Sequence, residues 1–197
     1  MMTTYDIILK RRTIRRFRQS SLDENALEKM VNAARLAPTG ANLQPCEFII
    51  VTEKGIMNRL FKALKWAGYI APTGNPPEDK RPMAYIVVLV NTERRKTAGE
   101  IDAAAAIMNI IYTALEMGIG SCWLGAIDRE QIRTILHIPE TCKIDSVVAL
   151  GYPDEEPIVE PLADSVKYWK DEKGVLHVPK FSLDQVMHKN QYVKQSG

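Results

Sequence analysis

Two apolar runs of different character lie close together in the middle of this chain, and they restrict the fold more than any other feature. Tyr85-Ile-Val-Val-Leu-Val90 is apolar at every position. A β-branched run without alternation predicts a central strand covered on both faces. Residues 101–117 are long enough for a helix and apolar almost all round, with Asp102, Asn109, Thr113 and Glu116 confined to one narrow stripe. Such a helix is buried, either in a large core or in a subunit interface.

The remaining elements follow from caps and breakers. Thr3 or Thr4 caps a first helix through about Lys10. Ser21-Leu-Asp-Glu24 reads as a capping box. It opens a helix whose Leu27, Met30, Val31 and Ala34 share one face, and Pro38 requires that helix to stop before it. A β-rich run over 47–52 precedes a helix over 54–69. Residues 70–82 hold Pro72, Gly74, Pro76, Pro77 and Pro82 and read as a mobile loop. Further strands are predicted over 121–124, 146–150 and 174–178. Asp128 with Gln131 starts one more helix, and Ser182 with Gln185 caps a last one. Helices and strands mix without the regular alternation of a dinucleotide-binding chain.

Charge narrows the function. Six cations stand between residues 10 and 18 with no acid among them, in Lys-Arg-Arg-Thr-Ile-Arg-Arg-Phe-Arg, while the whole chain carries +2. Without those six the remainder sums to −4. The positive charge is therefore local, as in an anion site. Were residues 11–15 helical, Arg11 and Arg15 would stand one turn apart, with Arg12 beside them. Three guanidinium forks and the Thr13 hydroxyl could then converge on one small dianion such as a phosphate. The plain alternative is a solvated basic helix end.

The near balance of 26 basic and 24 acidic residues over the whole chain argues against nucleic acid as a partner. The most apolar helix is too short and too polar to span a membrane. Three histidines without paired spacing argue against a protein-held metal. Cys46, Cys122 and Cys142 are odd in number and suit a reducing cytoplasm, and the N-terminal residues show no secretory pattern. At 46% apolar and 25% charged residues, the 197-residue chain has the composition of one globular domain.

Two further segments could carry chemistry. In Ala37-Pro-Thr-Gly-Ala-Asn-Leu-Gln-Pro45, two prolines fix the backbone, Gly40 permits close approach, and Asn42 and Gln44 present amides suited to the edge of a planar heteroaromatic ligand. A plain helix–strand connection is the competing explanation. In Gly118-Ile-Gly-Ser-Cys-Trp-Leu-Gly125 the glycines let a flat ligand lie against the backbone. There Trp123 reads first as core, and Cys122 as a small buried residue and not a nucleophile.

Taken together, Arg11-Arg-Thr-Ile-Arg-Arg-Phe17, the 37–45 loop, the 118–125 stretch and Gly151-Tyr-Pro153 resemble the nitroreductase family of FMN-dependent oxidoreductases, in order and spacing, from about residue 5 to 153. The resemblance implies an α+β fold with a central, mostly antiparallel sheet flanked by helices, in an interlocked homodimer. It implies a single FMN-binding domain over 1–197, with an extension over 160–197 packing on the partner subunit. Arg11, Arg12, Thr13 and Arg15 would hold the FMN phosphate and the polar rim of the ring. Pro38, Thr39, Gly40 and Asn42 would cover the flavin from the other subunit, and Gln44 would touch it or brace the loop. Leu124 and Gly125 would lie at the ring, and Lys180 would join the phosphate contacts.

Thr13 stands where serine is commoner, Cys46 where an aromatic is common, and Phe181 where a second basic residue is common. The implied activity passes hydride from NADH or NADPH through flavin N5 to a nitroaromatic, quinone, flavin or similar small-molecule acceptor, by a ping-pong mechanism with no catalytic side chain. The implied setting is cytoplasmic, without nucleic acid, membrane or metal, and residues 70–82 would choose the acceptor. Two alternatives stand beside it. One is a non-reductive FMN protein of the same fold, flavin-consuming or dehalogenating. The other is a basic anion-binding module.

Overall fold

The computed structural model describes residues 2–193. Contacts divide the chain into two compact units, residues up to Glu155 and residues from Glu156 onward.

The first unit is built on a four-stranded antiparallel sheet. Its strands are β1 (Cys46–Val51), β2 (Ala84–Asn91), β3 (Gly120–Leu124) and β4 (Cys142–Gly151), in the order β1-β2-β4-β3. Strand β2 is central and buried along its length except at Asn91. Period-two alternation divides its side chains between two cores. Ala84, Ile86, Val88 and Val90 pack with α2 (Glu24–Ala34) and α4 (Gly99–Glu116). Tyr85, Val87 and Leu89 turn to the opposite core, which lies under α3 (Lys54–Lys62) and α5 (Arg129–Leu136). That is why the 85–90 run needs no polar face.

Helix α4 buries Ala103, Ala106, Ile107, Ile110 and Ala114 almost completely. Each buried isoleucine contributes roughly 1.5–3 kcal/mol. Asn109, within the polar stripe, donates from Nδ2 to the Ala33 carbonyl at 2.9 Å and ties α4 to α2. The first helix, α1 (Thr4–Lys10), is capped by Thr3 and packs on α4. It leaves Tyr5, Ile8 and Leu9 exposed.

Three expectations need correction. Residues 11–18 are not helical. They run beside β3, with a parallel bridge from Thr13 to Ser121 and an antiparallel bridge from Phe17 to Pro153. Helix α2 is capped by Asp23, whose side chain accepts from Asn25 N–H, and not by Ser21. Helix α3 ends at Lys62, well short of residue 69, because the next residues use their backbone groups elsewhere. Lys65 N–H donates to the Ala126 carbonyl at 3.0 Å, and Asp128 N–H to the Ala63 carbonyl at 2.8 Å.

The second unit holds a three-stranded sheet of β5 (Ile158–Pro161), β6 (Trp169–Lys170) and β7 (Leu176–Lys180), in the order β5-β7-β6. Strands β5 and β7 are parallel, β6 and β7 antiparallel. The short α6 (Leu183–Val186) follows, with the expected Ser182–Gln185 capping box.

Candidate functional site

The arginine segment is docked by its apolar residues. Ile14 N–H donates to the Ser121 carbonyl at 2.9 Å and Phe17 N–H to the Lys80 carbonyl at 3.0 Å. Ile14 and Phe17 are buried, and both rest on glycines. A Cβ added at Gly120 would lie 2.8 Å from Ile14 Cγ1, and one at Gly151 would lie 2.8 Å from Phe17 Cδ1. These glycines permit the backbone of the segment to lie flat on the ends of β3 and β4. In bridge geometry Arg11, Thr13 and Arg15 share one side of the chain, and Ile14 turns inward from the other.

Backbone hydrogen bonds hold the segment in place. The Glu155 carboxylate accepts from the backbone N–H of both Arg15 and Arg16. Asp154 pairs with Lys80 at 2.7 Å and lies 3.9 Å from Arg18. Among the described residues no ion pair involves Arg11, Arg12 or Arg16. Arg12 donates from Nη1 to the Arg11 carbonyl. Burial, and then the Arg11 charge, hold its guanidinium below the ordinary arginine value. Arg12, partly desolvated beside Arg11, is relieved by an anion.

Leu124 ends the strand that carries the arginine segment, and Gly125 follows it. Leu124 is buried, while Gly125 has open space where a side chain would be. The Gly125 carbonyl accepts from Arg129 Nη2 at 3.4 Å, and the adjoining turn is held by the 63–65 backbone. Trp123 is 40% exposed and not a core residue, and its indole donates to Ser146 Oγ at 2.8 Å.

The 37–45 loop is elsewhere. It feeds β1, at the opposite edge of the sheet. Its position relative to Thr13 follows from register, since Cys46 aligns with Val90, and Ser121 with Leu150 and so with Ala84. The two lie roughly 19 Å apart across the strands and roughly 20 Å along them. One protomer therefore does not bring the arginines and the amide loop to one place.

Within the loop, Gly40–Asn42 forms a 3-10 turn, and Ala41, Asn42 and Gln44 all have positive φ. Each left-handed non-glycine residue costs on the order of 1–3 kcal/mol, so the surroundings must impose this shape. Gln44 N–H donates to Thr39 Oγ1, Gln44 Nε2 donates to the Asn42 carbonyl, and the Gln44 carbonyl accepts from Arg94. Gln44 thus braces the loop. Pro38, Gly40 and Asn42 are exposed. A cleft of about 210 Å³ opens beside Thr39, Gln44, Cys46 and Arg94.

The thiols are quiet. Burial raises Cys122 to about 12, and burial, then Asp102 and Asp145, raise Cys46 to about 11. Both are protonated at neutral pH, as the reading of Cys122 as a small buried residue requires. Residues 78–82 carry a 3-10 turn, Glu78–Lys80, and Arg81 lies over the Phe61 ring at 4.2 Å. Lys180 ends β7 in the second unit, where its carbonyl accepts from Leu162 N–H. Sequence reasoning missed Glu155, Arg129, Arg95 and Asp102. Of these only Asp102, in the polar stripe of an apolar helix, gave a signal.

Among the described residues no helix is long and apolar enough to cross a membrane, and no group of three potential ligands could hold a metal ion. The sequence model of the nitroreductase family matches residues 8–152. An Archaeoglobus fulgidus protein with a provisional NADH dehydrogenase/NAD(P)H nitroreductase name is 34% identical over 157 residues, covering 76% of this chain and 85% of that protein. A Staphylococcus aureus NADPH-dependent oxidoreductase is 25% identical over 95% of this chain and 73% of its own length. Among solved structures, an FMN-dependent nitroreductase from Clostridium difficile superposes with a TM-score of 0.70 at 25% identity, over 94% of this chain and 98% of that one.

Proposed function

The chain belongs to the nitroreductase family, and from that premise we propose that it is an FMN-dependent oxidoreductase acting as a homodimer. NADH or NADPH is the hydride donor. The observation that carries the reading is the arginine segment bridged to the strand that ends in Leu124 and leads into Gly125. It supports one cofactor position with a phosphate end and a ring end along a single sheet edge. The cationic cluster and the open space at Gly125 suit that cofactor.

The chemistry FMN supplies when bound is two-electron exchange at its ring, between the nicotinamide and a nitroaromatic, quinone, flavin or similar acceptor taken in turn. The protein's part is binding and orientation. Arg11, Arg12, Thr13 and Arg15 receive the phosphate and the polar rim. Leu124 and Gly125 form the wall at the ring. Pro38, Thr39, Gly40 and Asn42 of a second copy cover it, which supports the dimer because one copy keeps its loop at the far edge. No side chain is assigned a proton, and the protonated thiols of Cys122 and Cys46 support that assignment.

Anaerobic titration of the purified protein with NADH and with NADPH tests the reading. A yellow protein whose colour bleaches, and returns with an acceptor panel, is expected. A colourless protein that binds no added FMN refutes the cofactor assignment. A yellow protein that neither nucleotide bleaches refutes the reductase and leaves a non-reductive flavoprotein.

A further inference from the structure

One residue of the 37–45 loop is held on both sides. Gly40 N–H donates to Asp102 Oδ1 at 3.1 Å, and the Gly40 carbonyl accepts from Arg95 Nη1 at 3.3 Å. The same Nη1 lies 2.9 Å from Asp102 Oδ2, closing a triangle. Arg95 is oriented in turn by its Nε, which donates to the Thr97 carbonyl at 2.9 Å. Asp102 is 3% exposed.

The location of Asp102 makes the arrangement informative. It stands in the first turn of α4, whose N-cap, Ala98, offers no side-chain acceptor. An acid there would ordinarily serve its own helix N-terminus. Here one carboxylate oxygen meets the loop and the other meets the arginine that grips the loop. A buried ion pair is weak evidence of stabilisation, since its desolvation offsets much of its attraction, but it does fix register. What it fixes here is the entry to the left-handed residues Ala41 and Asn42.

We propose that Arg95 and Asp102 are positioning residues that set the cofactor-covering loop in its binding shape before FMN arrives. The inference rests on the proposed FMN function for its purpose, though the clamp itself does not. A side chain at position 40 would displace the Arg95 guanidinium, which occupies the place of its Cβ. With the clamp intact, little loop ordering is charged against FMN binding. Without it, the loop samples other shapes and the cofactor escapes faster.

The experiment compares wild type, Arg95→Gln, Asp102→Asn, Gly40→Ala and the Arg95→Gln/Gly40→Ala double variant as full-length protein. FMN dissociation is followed by recovery of flavin fluorescence, and backbone amide exchange at residues 40–44 is followed in FMN-free protein. Arg95→Gln should release FMN at least tenfold faster and lose protection at the Gly40 amide, with core strand amides unchanged. Asp102→Asn should do less, because its amide oxygen still accepts from Gly40. Gly40→Ala should match Arg95→Gln, and the double variant should be no worse than either. Wild-type exchange at Gly40 in Arg95→Gln, or additive effects in the double variant, overturns the clamp. Lost protection with unchanged FMN release overturns its role toward the cofactor. If wild type binds no FMN, the functional reading fails, and the exchange measurement still decides the clamp.

Discussion

Arg12 donates a side-chain hydrogen bond to the carbonyl of its own neighbour, Arg11, and its charge is answered by no carboxylate among the described residues. A cation kept partly out of water beside like charges awaits an anion. Removing one charge-assisted contact costs about 1.5–3 kcal/mol. Arg12→Ala and Arg15→Ala should therefore weaken FMN binding about 10- to 150-fold, measured by fluorescence titration of FMN-free protein. Unchanged affinity in both would remove the phosphate from this segment. A second residue-level effect concerns Gly151, on which the fully buried Phe17 sits. Gly151→Ala forces Phe17 outward and should destabilise by about 1–3 kcal/mol, lowering Tm by roughly 2–4 °C per kcal/mol. Because Phe17 anchors the arginine segment, FMN affinity should fall with it. A calorimetric scan matching wild type would show that the segment is not docked through Phe17.

At the scale of elements, the strands were legible wherever burial fixes composition. The 85–90 run could belong only to a doubly covered strand, and Asp128 with Gln131 did mark a helix start. The arginine segment was not legible as bridged chain. Its charges fit a helical turn as well as an extended run, and the deciding partners, Ser121 and Pro153, are more than a hundred residues away. The end of α3 was hidden likewise, since backbone pairing with residues 126–128 leaves no side-chain signal. The C-terminal sheet has a cross-strand device the sequence did not suggest. His177 on β7 lies 2.8 Å from Glu160 on β5 through Nδ1 and 3.5 Å from Asp171 through Nε2, and its ring stacks on Trp169 of β6 at 4.1 Å. The Glu160 contact chiefly raises the His177 pKa above its ordinary 6.5. Its contribution is thus complete below that value and is lost as pH rises through the folded value. Glu160 is lowered by Trp169 and then His177, so its share is lost as pH falls through the lowered value. The Trp169 indole N–H, which donates to Glu160 at 2.7 Å, should report this by NMR, shifting as pH rises past the His177 midpoint. His177→Gln should remove that transition. An imidazole titrating at or below its ordinary value would contradict the ion-paired arrangement.

At the scale of the whole molecule, both α1 and α4 leave apolar side chains exposed. Tyr5, Leu9 and Ile101 are each more than half exposed beside one of the most deeply packed helices in the chain. Exposed apolar side chains on these two helices are candidates for an association face, and a stable dimer covers about 1,200–2,000 Å² or more in total. Sedimentation at micromolar concentration should give a dimer. Leu9→Glu combined with Ile101→Glu should shift it toward monomer and lower FMN content in parallel. A flavin-loaded monomer would contradict both the dimer and the shared site.

The separation of the arginines from the amide loop, at opposite corners of one sheet, has a genetic consequence. If each pocket draws one wall from each copy, two differently crippled chains can repair one another. Co-expression of Arg12→Ala/Arg15→Ala chains with Gly40→Ala chains would produce mixed dimers in which both lesions fall on one pocket and the other pocket is wild type. Such strains should hold more flavin and activity than either parent, a complementation that a pocket built within one polypeptide cannot produce.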